Sequence, residues 1–171
     1  CVESVCMQYS YGNSICISTQ AGCRMGCTFC ATGIGGLERN LTAGEMLGEV
    51  LQMRNFIGDR INHIVLMGMG EPFDNYENVA RFLKLVNDKA GYNLSMRDIT
   101  VSTCGIIPMI ERFGDDFKQV NLAVSLHAPN DEIRRRTMPV AKAYPYKDLM
   151  KACKEYTQKT GRRITFEYSM I

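Results

Sequence analysis

Apolar and polar residues alternate along this chain with two different periods, which divide it into strands and helices. A period of two, or a short apolar run, predicts strands over residues 4–9, 14–19, 63–67, 98–102, 120–126 and 163–168. The turn signal Tyr11-Gly12-Asn13 pairs the first two as a hairpin. A period of about 3.6 residues, with its end signals, predicts helices over residues 42–57, 79–86, 108–113 and 145–161.

Strands that alternate with helices at short spacing indicate right-handed βαβ units and a parallel sheet of about five strands. Within the strands, apolar positions such as Val124 and Leu126 alternate with polar ones such as Ser125 and His127. A closed eight-stranded barrel fills its interior with branched apolar side chains, so a polar face predicts an open barrel that receives ligands. We therefore predict an α/β fold, a partial, open (β/α) barrel, as a single domain over residues 1–171, with its working groups where the strands end.

Composition and charge exclude only a few classes of protein. The chain has 171 residues, is 46% apolar and carries a formal net charge of +2, which argues neither for nor against a nucleic-acid partner. No apolar run approaches membrane-spanning length, and the first residues do not form a secretion signal. We expect a cytoplasmic protein without a membrane partner.

Three of the eight cysteines lie within eight residues, at Cys23, Cys27 and Cys30. Tight clustering favours a metal site over a disulfide framework. The loop supplies only three thiolates where a closed site takes four donors, so a small molecule could bind the open position. On spacing alone a structural zinc site that uses Cys16 or another distant cysteine stays an alternative.

Several ordered motifs carry a resemblance to a known family. They are Cys23-Arg24-Met25-Gly26-Cys27-Thr28-Phe29-Cys30, Cys16 to Gln20, Ala31-Thr32-Gly33, Arg39 to Thr42, Gly68-Met69-Gly70-Glu71-Pro72, Ser102 to Pro108, and Ser125-Leu126-His127-Ala128-Pro129-Asn130. Together they resemble the radical S-adenosylmethionine (radical SAM) superfamily and, within it, the RlmN and Cfr family of RNA adenine methyltransferases. The runs at residues 70–72 and 127–130 are more similar to RlmN than to Cfr.

The resemblance implies a partial barrel of the radical SAM type with two cofactors. Cys23, Cys27 and Cys30 would hold a [4Fe-4S] cluster whose open iron binds S-adenosylmethionine, with electrons from a donor such as flavodoxin or ferredoxin. Further cofactor contacts are implied for Phe29, Gly70, Glu71, Ser102, Ser125, Leu126 and His127. Cys16 matches the catalytic cysteine that releases the covalent adduct between protein and RNA, whereas Cys104 is expected to be incidental and Cys153 to be core.

The implied activity is methylation of adenosine C2 in 23S rRNA and in some tRNAs. The alternatives are Cfr-like methylation of C8 and a zinc-stabilised RNA-binding module without catalysis. Candidate phosphate contacts are Arg24, Arg39, Arg134, Arg135, Arg136, Arg162 and Arg163, although a solvated helix face explains the Arg triplet equally well. By the same comparison the chain lacks the methyl-carrying cysteine, the last barrel strand and an amino-terminal accessory region, so we expect it not to complete methylation alone.

Overall fold

The computed structural model describes residues 1–170. Its strands are β1 (Val5–Tyr9), β2 (Gly12–Cys16), β3 (Gln20–Gly22), β4 (Leu37–Asn40), β5 (Ile61–Leu66), β6 (Ile99–Thr103), β7 (Asn121–Ser125) and β8 (Ile164–Glu167). Its α-helices are α1 (Ala43–Ile57), α2 (Tyr76–Asn87), α3 (Ile107–Asp116), α4 (Asp131–Thr137) and α5 (Tyr146–Thr160). Every strand and helix predicted from periodicity is present, with bounds that shift by a few residues.

Six strands form the main sheet in the order β1-β2-β5-β6-β7-β8. β1 pairs with β2 antiparallel as the predicted hairpin, and the remaining neighbours pair parallel. Among residues 1–170 the two edge strands β1 and β8 do not pair with each other, so the sheet stays open. The predicted α/β fold with five parallel strands and an amino-terminal hairpin is confirmed.

Local sequence signals explain where α1 begins and ends. The Thr42 side chain accepts a hydrogen bond from the Glu45 backbone N–H, and the Glu45 carboxylate accepts one from the Thr42 N–H. This reciprocal capping box satisfies two amide groups that the first helical turn leaves without partners. Gly58 ends the helix at φ 69°, a left-handed conformation that glycine adopts without strain.

The core lies between the sheet and the layer of helices. The strands contribute Ile15, Ile64, Val101, Leu122 and Val124, and the helices contribute Met46, Phe82, Leu83, Phe113, Leu149 and Cys153, all at most 3% exposed. The apolar alternation of the middle strands is thereby confirmed, and so is Cys153 as core. At β8, by contrast, Phe166 is 40% exposed and Tyr168, just beyond the strand, is 50% exposed, so these apolar side chains are not covered.

Two features have no counterpart among the predicted ranges: the short helix α4, and a two-stranded ribbon of β3 and β4 that closes the base of the cysteine loop. β3 lies between the second strand and the cysteines, and its three residues are too few for a periodicity to register. At the ribbon's base Gly22 has φ 77°, and a Cβ there would lie 2.0 Å from the Gly36 carbonyl oxygen. Only glycine therefore fits at this position.

None of the helices described in residues 1–170 combines the length and the apolar content needed to cross a membrane.

Candidate active site

The carboxyl ends of the parallel strands and the cysteine loop enclose one pocket of about 160 Å³. Cys23, Cys27, Phe29 and Cys30 form its loop side. Gly70, Glu71, Ser102, Ser125 and His127 form its strand-end side. Nine of the eleven predicted site residues therefore line one pocket; the other two, Cys16 and Leu126, do not. A larger hollow of about 580 Å³ lies between Arg54, Gly58 and Tyr92, but it carries neither cysteine nor histidine.

The three cysteines of the loop lie close enough together to influence one another electrostatically. Burial, followed by the charges of Cys23 and Cys30, raises the pKa of Cys27 to about 11. Burial also raises the pKa of Cys23. No three His, Cys, Asp or Glu side chains within residues 1–170 are grouped closely enough for a single metal ion. Iron-sulfur clusters are held by thiolates, so three soft sulfur donors in one loop suit such a cluster by their chemistry. Binding of the cluster would displace the thiol protons.

Backbone and side-chain contacts hold the cysteine loop against the rest of the domain. The Cys23 N–H donates to the Gly36 carbonyl at 2.9 Å, and the Thr28 N–H donates to the Thr137 carbonyl at 2.9 Å. Arg24, one of the candidate phosphate contacts, instead forms an ion pair with Asp74. The loop is thus anchored at its start and its middle, and the thiols project from a segment of defined shape.

The Glu71 carboxylate is part of the scaffold rather than of the pocket's free surface. It is 4% exposed, and its two oxygens accept hydrogen bonds from the Phe73 N–H at 3.0 Å and the Cys104 N–H at 2.7 Å. Neighbouring Gly70 has φ 103°, and a Cβ there would lie 2.6 Å from the Gln20 Cβ. Glycine is therefore required at residue 70 by its packing against Gln20, and at residue 71 the pocket has no free carboxylate.

Two predicted serines share one acceptor that sequence reasoning missed. The hydroxyls of Ser102 and Ser125 donate to the same carboxylate oxygen of Glu167, at 3.0 Å and 2.7 Å. Glu167 also lines the pocket. The signal that could have found it is the alternation in β8, where Thr165 and Glu167 oppose Ile164 and Phe166. Because each hydroxyl donates its hydrogen to Glu167, its lone pairs point away from the carboxylate and can accept hydrogen bonds from a ligand.

His127 connects the strand-end side to the cysteine loop. Its ring packs edge-on against Phe29 with centroids 4.9 Å apart, and its Nδ1 accepts the Ser169 N–H at 3.0 Å. Burial lowers the pKa of His127, and the Coulombic effect of Arg134 acts in the same direction. An Nδ1 that accepts a backbone N–H carries no proton, so the neutral ring has its hydrogen on Nε2.

Cys16 and Leu126 lie beside the pocket rather than in its wall. Cys16 is half-buried on β2; burial raises its pKa, the Met67 backbone lowers it, and the carboxylates of Glu49 and Glu167 raise it. Because Met67 and Glu167 line the pocket, Cys16 stands at its margin. Leu126 acts through its backbone: its N–H donates to the Glu167 carbonyl at 3.0 Å.

Cys104, expected to be incidental, lines the same pocket as the three loop cysteines. Burial, followed by the Glu71 carboxylate, raises the pKa of Cys104 well above its ordinary value. The pocket therefore contains a fourth thiol, which the sequence spacing did not indicate.

The Arg triplet on α4 divides into one buried and two exposed side chains. Arg134 is 0% exposed and donates to backbone carbonyls, so the prediction that it contacts phosphate is wrong. Arg135 lies near Asp131, and Arg136 forms an exposed ion pair with Glu132 at 2.6 Å. The helical repeat explains the division, because consecutive residues point about 100° apart and only one of the three can face the sheet.

Comparisons with known proteins identify the class of domain. A family model described as "Radical SAM superfamily" matches residues 17–169. The crystal structure of a radical SAM methyltransferase from Sphaerobacter thermophilus has a TM-score of 0.94 and 48% identity, and the match covers 98% of this chain and 50% of that chain. The chain belongs to the radical SAM superfamily, whose members use S-adenosylmethionine and an iron-sulfur cluster.

Within that superfamily the chain is similar to proteins named RlmN. The "Probable dual-specificity RNA methyltransferase RlmN" of Clostridium tetani is 54% identical over 170 residues, and the match covers 99% of this chain and 49% of that protein. The protein of the same name from Clostridium perfringens (strain 13 / Type A) is 56% identical with the same coverage. The resemblance to the RlmN side of the family is thus confirmed, and the chain spans about half the length of these relatives.

Proposed function

We propose that this chain is the radical SAM core of an RNA methyltransferase that modifies adenosine C2 in 23S rRNA and in some tRNAs. The observation that carries the proposal is the single pocket in which three loop thiols face the polar strand ends. The relatives' printed name, dual-specificity RNA methyltransferase, supports RNA as the substrate. A cytoplasmic protein that receives electrons from a flavodoxin or ferredoxin fits this function.

We assign Cys23, Cys27 and Cys30 as the ligands of a [4Fe-4S] cluster. When bound, the cluster supplies one electron for reductive cleavage of S-adenosylmethionine, which provides a radical that can act on an unactivated carbon. The loop thiols lose their protons on ligation. Gly70 lines the pocket beside the loop, and we assign its backbone to the methionine end of the cofactor.

The remaining pocket residues orient the cofactor and exclude water. The hydroxyls of Ser102 and Ser125, both held by Glu167, suit the ribose, which offers hydroxyl donors and acceptors. Phe29 and His127 pack together across the pocket and shield one side of it from solvent. Cys16 at the margin keeps its proton in the free protein, because burial raises its pKa, and we assign it the release of the RNA adduct.

Anaerobic reconstitution with iron and sulfide tests the cluster. Wild-type chain should bind iron and sulfide, absorb in the visible range and, when reduced with S-adenosylmethionine present, yield 5'-deoxyadenosine. A Cys27→Ala chain treated in parallel should do none of these. Zinc in oxygen-free preparations, or a fourth protein atom on the cluster, would contradict the proposal and favour the RNA-binding module without catalysis.

Mass spectrometry of nucleosides tests the site of methylation. We expect residues 1–171 alone to cleave S-adenosylmethionine without methylating RNA, because the chain spans about half the length of its relatives. A protein of the relatives' full length that contains this chain should yield 2-methyladenosine. Formation of 8-methyladenosine would assign the Cfr-like activity instead, and efficient methylation by residues 1–171 would contradict the expectation for the core.

A further inference from the structure

Arg134 is the most unusual charged group of the domain. It is 0% exposed, and no other Lys or Arg of residues 1–170 is buried. Removing a guanidinium from water costs several kcal/mol unless charges or hydrogen bonds offset the loss. Within the described residues, no carboxylate forms an ion pair with Arg134. The domain therefore contains a buried positive charge that no carboxylate of the described residues pairs with.

The hydrogen bonds of Arg134 go to the ends of two neighbouring strands. Its Nη2 donates to the Cys104 carbonyl at 2.6 Å and to the Ser125 carbonyl at 3.3 Å. Its Nε donates to the Leu126 carbonyl at 3.2 Å. Its Nη1 is buried and has no hydrogen-bond partner among residues 1–170. A guanidinium has five N–H donors, so this one is positioned with unused capacity for an acceptor or an anion.

The charge of Arg134 is fixed directly behind the cysteine loop. The last residue of its helix, Thr137, accepts the backbone hydrogen bond from Thr28 in the loop at 2.9 Å. Cys104 and Ser125, whose carbonyls accept hydrogen bonds from Arg134, line the same pocket as the loop cysteines. Through Cys104, Arg134 is also connected to Glu71, whose carboxylate accepts the Cys104 N–H. These contacts prevent the charge from moving toward solvent.

We propose that Arg134 is a positioning residue that holds a fixed positive charge behind the cysteine loop and thereby makes the iron-sulfur cluster easier to reduce. The inference rests on the proposed function, because it presupposes the cluster. Three thiolates bring three negative charges into a partly buried site, and reduction adds one electron from an external flavodoxin- or ferredoxin-class donor. A nearby cation in a low-dielectric site favours the form with the additional electron, while the guanidinium itself stays protonated.

Three variants of the reconstituted chain separate charge from structure. Arg134→Met removes the charge and keeps an unbranched side chain, whereas Arg134→Lys keeps the charge but loses the planar donors. Arg136→Met is the matched control: it removes the same charge from the same helix on its exposed side. The midpoint potential of each cluster is measured by redox titration with electron paramagnetic resonance of the reduced form.

We expect Arg134→Met to lower the ratio of reduced to oxidised cluster at least about tenfold at a fixed potential, a shift of about 59 mV to more negative values. Arg134→Lys should retain most of the wild-type potential, and Arg136→Met should match it, because an exposed charge is screened. Equal potentials for Arg134→Met and Arg136→Met would overturn the proposal. A purely structural role of Arg134 does not predict rescue by lysine.

Variants that fail to bind iron also test the proposal. If Arg134→Met is folded by circular dichroism but binds no iron, while Arg134→Lys binds it, the charge is needed to hold the cluster rather than to set its potential, and the proposal is overturned in its stated form. If both variants unfold, Arg134 is only structural and the proposal is overturned. Failure of the wild-type chain to bind iron would instead remove the proposed function, and this inference with it.

Discussion

The cysteine loop and the wall of strand ends behind it differ in how firmly the domain holds them. In the loop, Phe29 is 40% exposed and the three cysteines are partly exposed. The wall comprises Glu71, Ser102, Thr103 and Cys104 at the strand ends, with Arg134 of α4 behind them. All five side chains are at most 8% exposed. The loop thus presents thiols that a cofactor can reach, and the wall holds buried polar and charged groups behind them. Substitutions in the loop should change what the site binds, whereas substitutions in the wall should change stability first.

The largest effect is expected in the loop. Cys27→Ala should abolish nearly all iron binding in anaerobic reconstitution, because a cluster held by three thiolates cannot spare one. The unfolding temperature of the metal-free chain should change little, since Cys27 is only partly buried. Cys104→Ser provides the control from the wall of the same pocket and should keep the iron. Loss of iron in Cys104→Ser would identify a fourth protein ligand and contradict the open cluster.

In the wall, Glu71→Gln should lower the free energy of unfolding by about 2 kcal/mol, since hydrogen bonds to a charged group are worth about 1.5–3 kcal/mol. An amide can accept one of the two backbone N–H groups but turns its own donors toward the other. Urea unfolding of the metal-free chain measures the change in the free energy of unfolding. The control is Glu77→Gln, whose carboxylate is 75% exposed and should matter little. Equal losses for both variants would contradict the scaffold role of Glu71.

The sequence predicted the loop far better than the wall. Cys23, Cys27 and Cys30 are neighbours along the chain, so their spacing alone indicated a shared site. The strands and helices were also predictable, because Thr42 and Glu45, for example, determine a helix start locally. The short β3 strand of the ribbon was not predicted, because three residues are too few to show a hydrophobic periodicity.

The wall depends on contacts between residues that are distant in sequence. Glu167 meets Ser102 across 65 residues, and no local pattern indicated that these two side chains would pair. Arg134 lies in a seven-residue helix with five charged side chains, a composition that indicates a solvated helix. Its burial follows from carbonyls at the ends of β6 and β7, which only the tertiary structure brings together.

Glu167→Gln should weaken binding of S-adenosylhomocysteine, used as a stable cofactor analogue, about tenfold, or about 1.4 kcal/mol. The neutral amide oxygen accepts the two serine hydroxyls more weakly than the carboxylate oxygen does, so Ser102 and Ser125 are held less firmly in their orientation. Equilibrium dialysis measures the affinity of the reconstituted chain. Thr165→Ala, an exposed position two residues earlier on β8, is the matched control. Unchanged affinity in Glu167→Gln would remove Glu167 from the cofactor site.

His127 should make the stability of the domain sensitive to acid. Burial lowers its pKa, so its contribution is present above the unfolded value of about 6.5 and is lost as pH falls through the folded value. Asparagine tolerates the φ of 51° at this position and does not titrate. The difference in unfolding free energy between wild type and His127→Asn should therefore be larger near pH ~7.5 than near pH ~5.5. A difference that grows on acidification would contradict the lowered pKa.

The smallest effect is expected on the exposed side of α4. Arg136 and Glu132 pair at 2.6 Å, but both side chains are more than 70% exposed. Breaking such a pair with Arg136→Ala should lower the free energy of unfolding by at most about 0.5 kcal/mol, and added salt should remove the difference. A double-mutant cycle with Glu132→Ala isolates the pair energy. A coupling energy well above 0.5 kcal/mol would mean that α4 is stabilised from its solvent side, whereas a negligible one leaves the buried Arg134 contacts as its main polar attachment to the sheet.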